Sequence, residues 1–307
     1  MRAEQIARGV FRLRTLMVNV YFVADGVSPT GWTLIDTGLP GYAAVLRRGA
    51  AQIFERAPSA ILLTHAHFDH IGGLPQLADQ WRVPVYAHPL ELPYLTGRSP
   101  YPPPDPTVGG GMQSWLSALF PRGPIDLGRR VHMLPENGVV PTLPGWRWLL
   151  TDGHSPGHVS FVRELDRTVI AGDAVVTTRQ ESLIHVVRQR RVVWRPPAFF
   201  TCDWIAARRS VDRIAALHPN VLATGHGVAL EGAEMRSELR RLADQFDAAM
   251  PSSGRYIPFP AVTDAHGVVH VPPRPAVFTT RAAVAAAVGA AALGVATIAV
   301  VRRRWAA

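Results

Sequence analysis

The chain has no lysine and a single cysteine, Cys202. A lone thiol excludes an internal disulfide and a cysteine-based zinc site. Cys202 sits where a helix is expected to begin and reads as packed rather than reactive. With lysine missing, all 32 basic residues are arginine, a composition bias rather than a chemical signal. Charge is scarce: 18% of residues are charged against 48% apolar, which excludes a disordered chain. The opening stretch Met1-Arg2-Ala3-Glu4-Gln5 lacks the apolar core of a secretory signal, so the main domain is expected to start in the cytoplasm. No basic stripe is interleaved with aromatics, which argues against nucleic acid as a partner. The formal charge of +9 suits an anionic small molecule or an anionic lipid surface instead. At 307 residues there is ample chain for one large domain or two small ones.

What is present is concentrated in Thr64-His65-Ala66-His67-Phe68-Asp69-His70-Ile71-Gly72-Gly73, directly after the apolar run Ala60-Ile61-Leu62-Leu63. A buried strand ending in a loop delivers such a cluster to one edge of a sheet. His65 and His67 alternate with Ala66 and point the same way in extended chain, and Asp69 and His70 follow as the chain turns into a helix. Packing alone has no use for three imidazoles and a carboxylate together. Two adjacent metal ions account for the density, zinc first by ligand type, with iron, manganese or nickel as alternatives.

The stretch resembles the HxHxDH motif of the metallo-β-lactamase superfamily. The resemblance implies that His65 and His67 serve one metal while Asp69 and His70 serve a second. It also implies a four-layer αββα sandwich with the metals where the loops of two sheets meet. Three downstream sites match the family order. The run Asp152-Gly153-His154-Ser155-Pro156-Gly157-His158 places His154 as the third ligand of metal one, with His158 orienting the loop or standing behind the ligands; Asp152 replaces the family's first proline. Asp173 in Ala171-Gly172-Asp173-Ala174 matches the bridging carboxylate. His226 in Thr224-Gly225-His226-Gly227 completes metal two. Asp36 in Ile35-Asp36-Thr37-Gly38 resembles an early turn that supports the metal loop without binding metal.

Around these motifs, strand-helix-strand order predicts a layered α/β domain over 1–250. Helices are expected at 41–56, 71–81, 203–217 and 232–250, with strands at 10–13, 17–23, 83–87 and 221–224, the last emptying into a Gly-His-Gly turn, among others. The stretch 97–128, with Pro102-Pro103-Pro104 and Gly109-Gly110-Gly111, reads as an insertion capping the site through Trp115, Leu116 and Phe120. Arg188-Gln189-Arg190-Arg191 reads as a solvated face. Residues 251–275 read as a proline-rich linker. Beyond them, 282–301 holds twenty uncharged residues, mostly Ala and Val, flanked by arginines. At ~1.5 Å per residue such a helix covers about 30 Å, so 276–307 is expected as a transmembrane tail, a single-pass anchor of the cell membrane with the enzyme on the cytoplasmic side.

The ligand set implies a hydrolase acting through a water activated by two zinc ions, with Asp69 orienting the nucleophile, on an ester, thioester or lactone bond of a small molecule. Aspartate rather than cysteine at position 173 argues against the common dizinc β-lactamases. Ala174-Val175-Val176-Thr177 lacks the tyrosine that lactonases carry shortly after the bridging Asp. A linker and an apolar tail are expected where hydroxyacylglutathione hydrolases usually carry a helical substrate domain, which argues against glutathione thioesters. Alternatives are a mononuclear iron sulfur-dioxygenase-like enzyme and a phosphodiesterase or ribonuclease-like hydrolase of the same fold.

Overall fold

A computed structural model describes residues 2–275. Seven strands form the first sheet in sequence order: β1 (Glu4–Ala7), β2 (Val10–Thr15), β3 (Val18–Ala24), β4 (Trp32–Ile35), β5 (Ala60–Leu62), β6 (Val85–Ala87) and β7 (Val131–Met133). The first four pair antiparallel through tight turns. From β4 onward pairing is parallel, and those connections carry helices, as parallel crossovers require. The second sheet runs in the order β12-β11-β10-β9-β8, with β8 (Trp146–Leu150), β9 (Val159–Arg163), β10 (Thr168–Ile170), β11 (Val221–Ala223) and β12 (Leu230–Glu231).

Side-chain alternation builds the layers. In β3, Val20 and Phe22 pack outward with Leu13, Leu34, Leu46 and Leu77, against the helices Ala43–Ala50 and Leu74–Trp81. Tyr21 and Val23 point the other way and meet Val159, Phe161 and Ile170 of the second sheet. The far face of that sheet, with Val162, Val169 and Leu222, is covered by the helices Trp204–Ala216 and Gly232–Asp244. Helix, sheet, sheet and helix are thus stacked around three buried apolar seams, the αββα order expected.

Several expectations are adjusted. The helix read over 41–56 is confined to Ala43–Ala50. Its continuation tightens into turns, Gln52 donating to Gly49 and Phe54 to Ala50, which brings Phe54 onto Trp32 with ring centroids 4.8 Å apart. The 97–128 insertion contains a helix, but only Met112–Leu116 is α-helical before the turn tightens over Ser117–Leu119. Trp115 is 49% exposed, so of the three apolar residues expected over the site only Phe120 joins its aromatic cluster. Residues 251–275 carry a hairpin, β13 (Val262–Asp264) and β14 (Gly267–His270), and lie against the insertion. The Tyr256 hydroxyl donates to the Pro103 carbonyl at 2.6 Å, and the Val268 N–H to Ser99 Oγ at 3.1 Å.

The membrane expectation is corrected. Among the described residues no helix is long and apolar enough to cross a membrane; the longest span 13 residues, about 20 Å against a hydrocarbon core of ~30 Å. The stretch 282–301 lies outside the described residues. The C-terminal apolar helix, the single-pass anchor and the membrane partner therefore have no support.

Candidate metal centre

The 64–73 loop leaves the end of β5 and is pinned before it reaches the first histidine. Asp36, at the end of β4, adopts φ +60°, a left-handed conformation that aspartate tolerates better than most residues. Its Oδ1 accepts the Thr64 N–H at 2.8 Å, and its Oδ2 accepts the Thr64 hydroxyl at 2.7 Å. The Oδ2 atom also lies 2.8 Å from His70 Nδ1. Thr37 N–H closes the turn onto the His70 carbonyl at 2.7 Å. His67 then caps a short helix, Phe68–Ile71, in extended conformation, and that turn projects Asp69 and His70 toward the side His65 and His67 already face.

Two further loops converge from the second sheet. His154 lies in the β8–β9 connection, held by the pair of N–H groups of Cys202 and Asp203 that donate to the Gly153 carbonyl. A Cβ at Gly153 would lie 2.2 Å from the Ala207 nitrogen, so only glycine lets this loop rest on the Trp204–Ala216 helix. Asp173 follows β10, and His226 sits in the Gly-His-Gly turn after β11. At Gly225 a Cβ would lie 2.0 Å from Asp173 Oδ1, so a missing side chain makes room for the carboxylate.

All seven residues expected as ligands come together. The nitrogens of His65, His67 and His154 form one group, and the donor atoms of Asp69, His70 and His226 another, each within 4.8 Å of one another. Asp173 stands between them: Oδ1 is 3.6 Å from His70 Nε2, and Oδ2 is 3.5 Å from His154 Nε2 and 3.1 Å from His226 Nε2. Every member is buried, Asp69 least so at 8% exposure.

For His65, His70 and His226 the partner atoms decide which ring nitrogen faces inward. His70 Nδ1–H is committed to Asp36, and His226 Nδ1–H donates to the Met17 carbonyl at 3.0 Å. The Thr64 hydroxyl donates to Asp36, so across 3.0 Å it accepts from His65 Nδ1–H. Each ring thereby turns a bare Nε2 to the interior, the arrangement that outer hydrogen bonds impose on metal-binding imidazoles. Buried Nε2 of His65 and of His70, together with Asp173 Oδ1, have no hydrogen-bond partner. Unsatisfied buried acceptors converging on one point fit a cation there.

Electrostatics agree. Burial pushes His65 and His67 well below the usual imidazole range and His154 down to about 3, so these rings stay neutral and able to ligate. Burial also opposes charge on His70 and His226, but Asp173, with Asp36 and Asp69 respectively, outweighs it and raises both. Burial raises Asp69. It acts the same way on Asp173, but His226 and His70 outweigh it and hold that carboxyl well below its usual value. The rings of His65, His67 and His154 can therefore ligate without first losing a proton, whereas a cation beside His70 and His226 would replace protons held there.

The family profile described as the metallo-beta-lactamase superfamily matches residues 13–226. The chain belongs to the metallo-β-lactamase superfamily. It is 43% identical over 246 residues to the probable metallo-hydrolase YflN of Bacillus subtilis, covering 80% of this chain and 93% of that one. A second Bacillus subtilis relative, the probable metallo-hydrolase YybB, is 30% identical over 74% of this chain and 91% of its own length. Among solved structures, the Cronobacter sakazakii metallo-β-lactamase with the HARLDQ motif matches with a TM-score of 0.54 at 21% identity, covering 81% of this chain and 92% of that one. The B3 metallo-β-lactamase BLEG-1 matches with 0.51 at 23%, covering 76% and 95%; both likenesses establish the fold. As a member of this superfamily the protein is a metal-dependent hydrolase.

Three residues that sequence reasoning missed border the centre. Glu91, fully buried, hydrogen-bonds the backbone of the 64–73 loop and of the His154 loop. The Tyr101 ring lies 4.5 Å from that of His67, and the Phe200 ring stacks on His67 at 4.4 Å. Phe200 continues into Phe120 at 5.9 Å and Phe68 at 6.3 Å, forming an apolar wall beside Asp69. The remaining expectations settle simply. Cys202 is buried with its thiol pushed up by burial, hence unreactive, and Arg188, Arg190 and Arg191 are exposed.

Proposed function

We propose that the centre holds two divalent ions, zinc by ligand preference, and that the protein hydrolyses an ester, thioester or lactone of a small molecule. The observation that carries this reading is the pair of complete donor groups with Asp173 between them. Site one is His65, His67 and His154; site two is Asp69, His70 and His226; Asp173 is shared. When bound, two such ions bring the pKa of a water between them from ~15.7 toward neutrality and offset the negative charge that develops on the attacked carbonyl.

The residues of the chain supply position and surroundings. Asp69, the most open of the seven, is the residue that would orient the attacking water. Asp36 and Met17 hold the rings of His70 and His226 from behind. Phe68, Phe120 and Phe200 form a dry wall on the His67 side, against which an apolar substituent of the substrate rests. A mononuclear iron enzyme would leave the Asp69, His70 and His226 group without a task, so the dinuclear hydrolase is the better reading.

Metal analysis together with a substrate panel tests it. Protein loaded in excess zinc and desalted is expected to retain two zinc per chain and, on a panel of esters, thioesters, lactones and phosphodiesters, to cleave members of the first three classes. One iron per chain, or cleavage confined to phosphodiesters, would replace this reading.

A further inference from the structure

Resting on the two-ion reading, we propose that Glu91 is the positioning residue of metal site one, tying the loops of His65, His67 and His154 into a single unit with Tyr101 of the insertion as its partner. Glu91 ends the turn Pro89–Glu91 and is fully buried. Its Oε2 accepts the Ala66 N–H at 2.9 Å and the Tyr101 hydroxyl; its Oε1 accepts the Ser155 hydroxyl and the Gly157 N–H, each at 2.8 Å. Ala66 lies between His65 and His67, and Ser155 follows His154 directly. One carboxylate therefore fixes the backbone beside all three imidazoles of site one. None of these bonds reaches Asp69, His70 or His226.

The donor pattern demands a carboxylate. Each oxygen faces a peptide N–H, which can only donate. A glutamine here would turn its NH₂ toward one of those N–H groups whichever way it flipped, leaving donors opposed and unsatisfied in a buried place. Burial raises the Glu91 carboxyl to about 7, and the bonds from Ser155, Gly157 and Ala66 offset that cost only in part, so each of them matters to keeping a carboxylate there. A residue serving only to fill space would not need an acceptor on both sides. Tyr101 extends the unit outward: its hydroxyl is also 2.8 Å from the Ala66 nitrogen, and its ring lies between those of His67 and Tyr94 at 4.5 and 3.8 Å. The seating of the 97–128 insertion is thereby linked to the geometry of one metal site.

The experiment compares wild type, Glu91→Gln and Tyr101→Phe, each loaded with cobalt(II) and dialysed against metal-free buffer. Metal stoichiometry, the visible absorption of bound cobalt and the thermal melt are read. Wild type is expected to keep two ions. Glu91→Gln is expected to lose the site-one ion, with affinity there weakened about 10–100-fold, while the second ion stays. Tyr101→Phe is expected to keep both, with a shifted cobalt spectrum and an unaltered melt. Glu91→Gln with two ions bound at wild-type affinity and an unchanged spectrum overturns the proposal.

If Glu91→Gln does not fold, the double variant Ser155→Ala/Tyr101→Phe keeps the carboxylate and removes half its donors. It is expected to weaken site one selectively, and unchanged binding overturns the proposal. A wild type that binds a single ion sinks the two-ion reading alone, and Glu91 then stands or falls on whether Glu91→Gln weakens that ion. A wild type that binds none overturns both.

Discussion

The backbone N–H of Asp173 donates to His158 Nε2 at 2.9 Å. An amide must donate, so Nε2 carries no proton and Nδ1–H turns to the Thr151 hydroxyl, 2.9 Å away. Burial holds His158 at about 3, consistent with that neutral tautomer. This histidine, expected to orient its loop or stand behind the ligands, does the latter: it reaches the residue that stands between the two donor groups. His158→Ala would leave the Asp173 N–H buried without a partner, at a cost of about 1–3 kcal/mol. At about 2–4 °C per kcal/mol for a chain this long, the thermal midpoint is expected to fall by several degrees. His158→Gln, whose side-chain oxygen can take the place of Nε2, is expected to recover part of that loss. Equal midpoints for the two variants would show that the acceptor is irrelevant.

Metal-free protein is expected to be most stable near pH 6.5. Burial holds His154 and His158 at about 3, and His65 and His67 well below the usual value. Once the pH drops below ~6.5 the unfolded chain binds protons that these buried rings refuse, and stability falls by about 1.4 kcal/mol per pH unit for each. His70 and His226 behave oppositely, because Asp173 raises both against burial. Their contribution is fully present below ~6.5 and is lost as the pH rises through their raised values. Asp69 and Glu91, both raised by burial, Glu91 to about 7, offset two of these groups on the acid side. Thermal melts of chelated protein from pH 5 to 9 check the maximum. In zinc-loaded protein the ion replaces the protons on His70 and His226, so the alkaline decline is expected to vanish. A flat profile for the chelated protein would contradict these assignments.

The 64–73 stretch was legible because its chemistry is dense and local: alternate spacing turns His65 and His67 to one side, and four donors within six residues have no packing role. His154, Asp173 and His226 stand far apart in the chain, and single-residue patterns do not unite them. The order known from the resembling family does, and the second sheet then brings its loop ends over the first. Glu91 stayed hidden because its partners lie 25, 64 and 66 positions away. Its one local sign is an acid within the apolar run Leu90-Glu91-Leu92-Pro93-Tyr94-Leu95. Tyr101 was masked by surrounding prolines that read as loop, although its ring is 3% exposed. Residues 251–275 read as linker for the same reason: proline content hides Tyr256, which is buried against the insertion.

Asp36→Asn is expected to weaken the site-two ion more than the site-one ion. Oδ2 of Asp36 accepts from both the Thr64 hydroxyl and His70 Nδ1–H, and Oδ1 accepts the Thr64 N–H. An amide group can satisfy only one side of that arrangement, so either the loop or the His70 ring loses its restraint. Loss of such a partner weakens metal binding by about 10–100-fold. Competition titration with a chromophoric chelator separates the two steps. Equal weakening of both ions would mean that Asp36 acts on the whole loop rather than on His70.

Phe120 offers a test of the apolar wall that spares the ligands. Its ring lies 5.5 Å from Phe68 and 5.9 Å from Phe200, and it is only partly buried. Contacts between such a wall and an added apolar group are worth about 1–3 kcal/mol, or 10–200-fold in kcat/KM. Phe120→Ala is therefore expected to cut kcat/KM for a hexanoyl ester at least tenfold, mainly through KM, while an acetyl ester too short to reach the wall changes less than threefold. Metal content is expected to stay at the wild-type value, since no ligand touches this ring. A uniform loss on both esters would place Phe120 in the support of the fold and remove the wall from substrate binding.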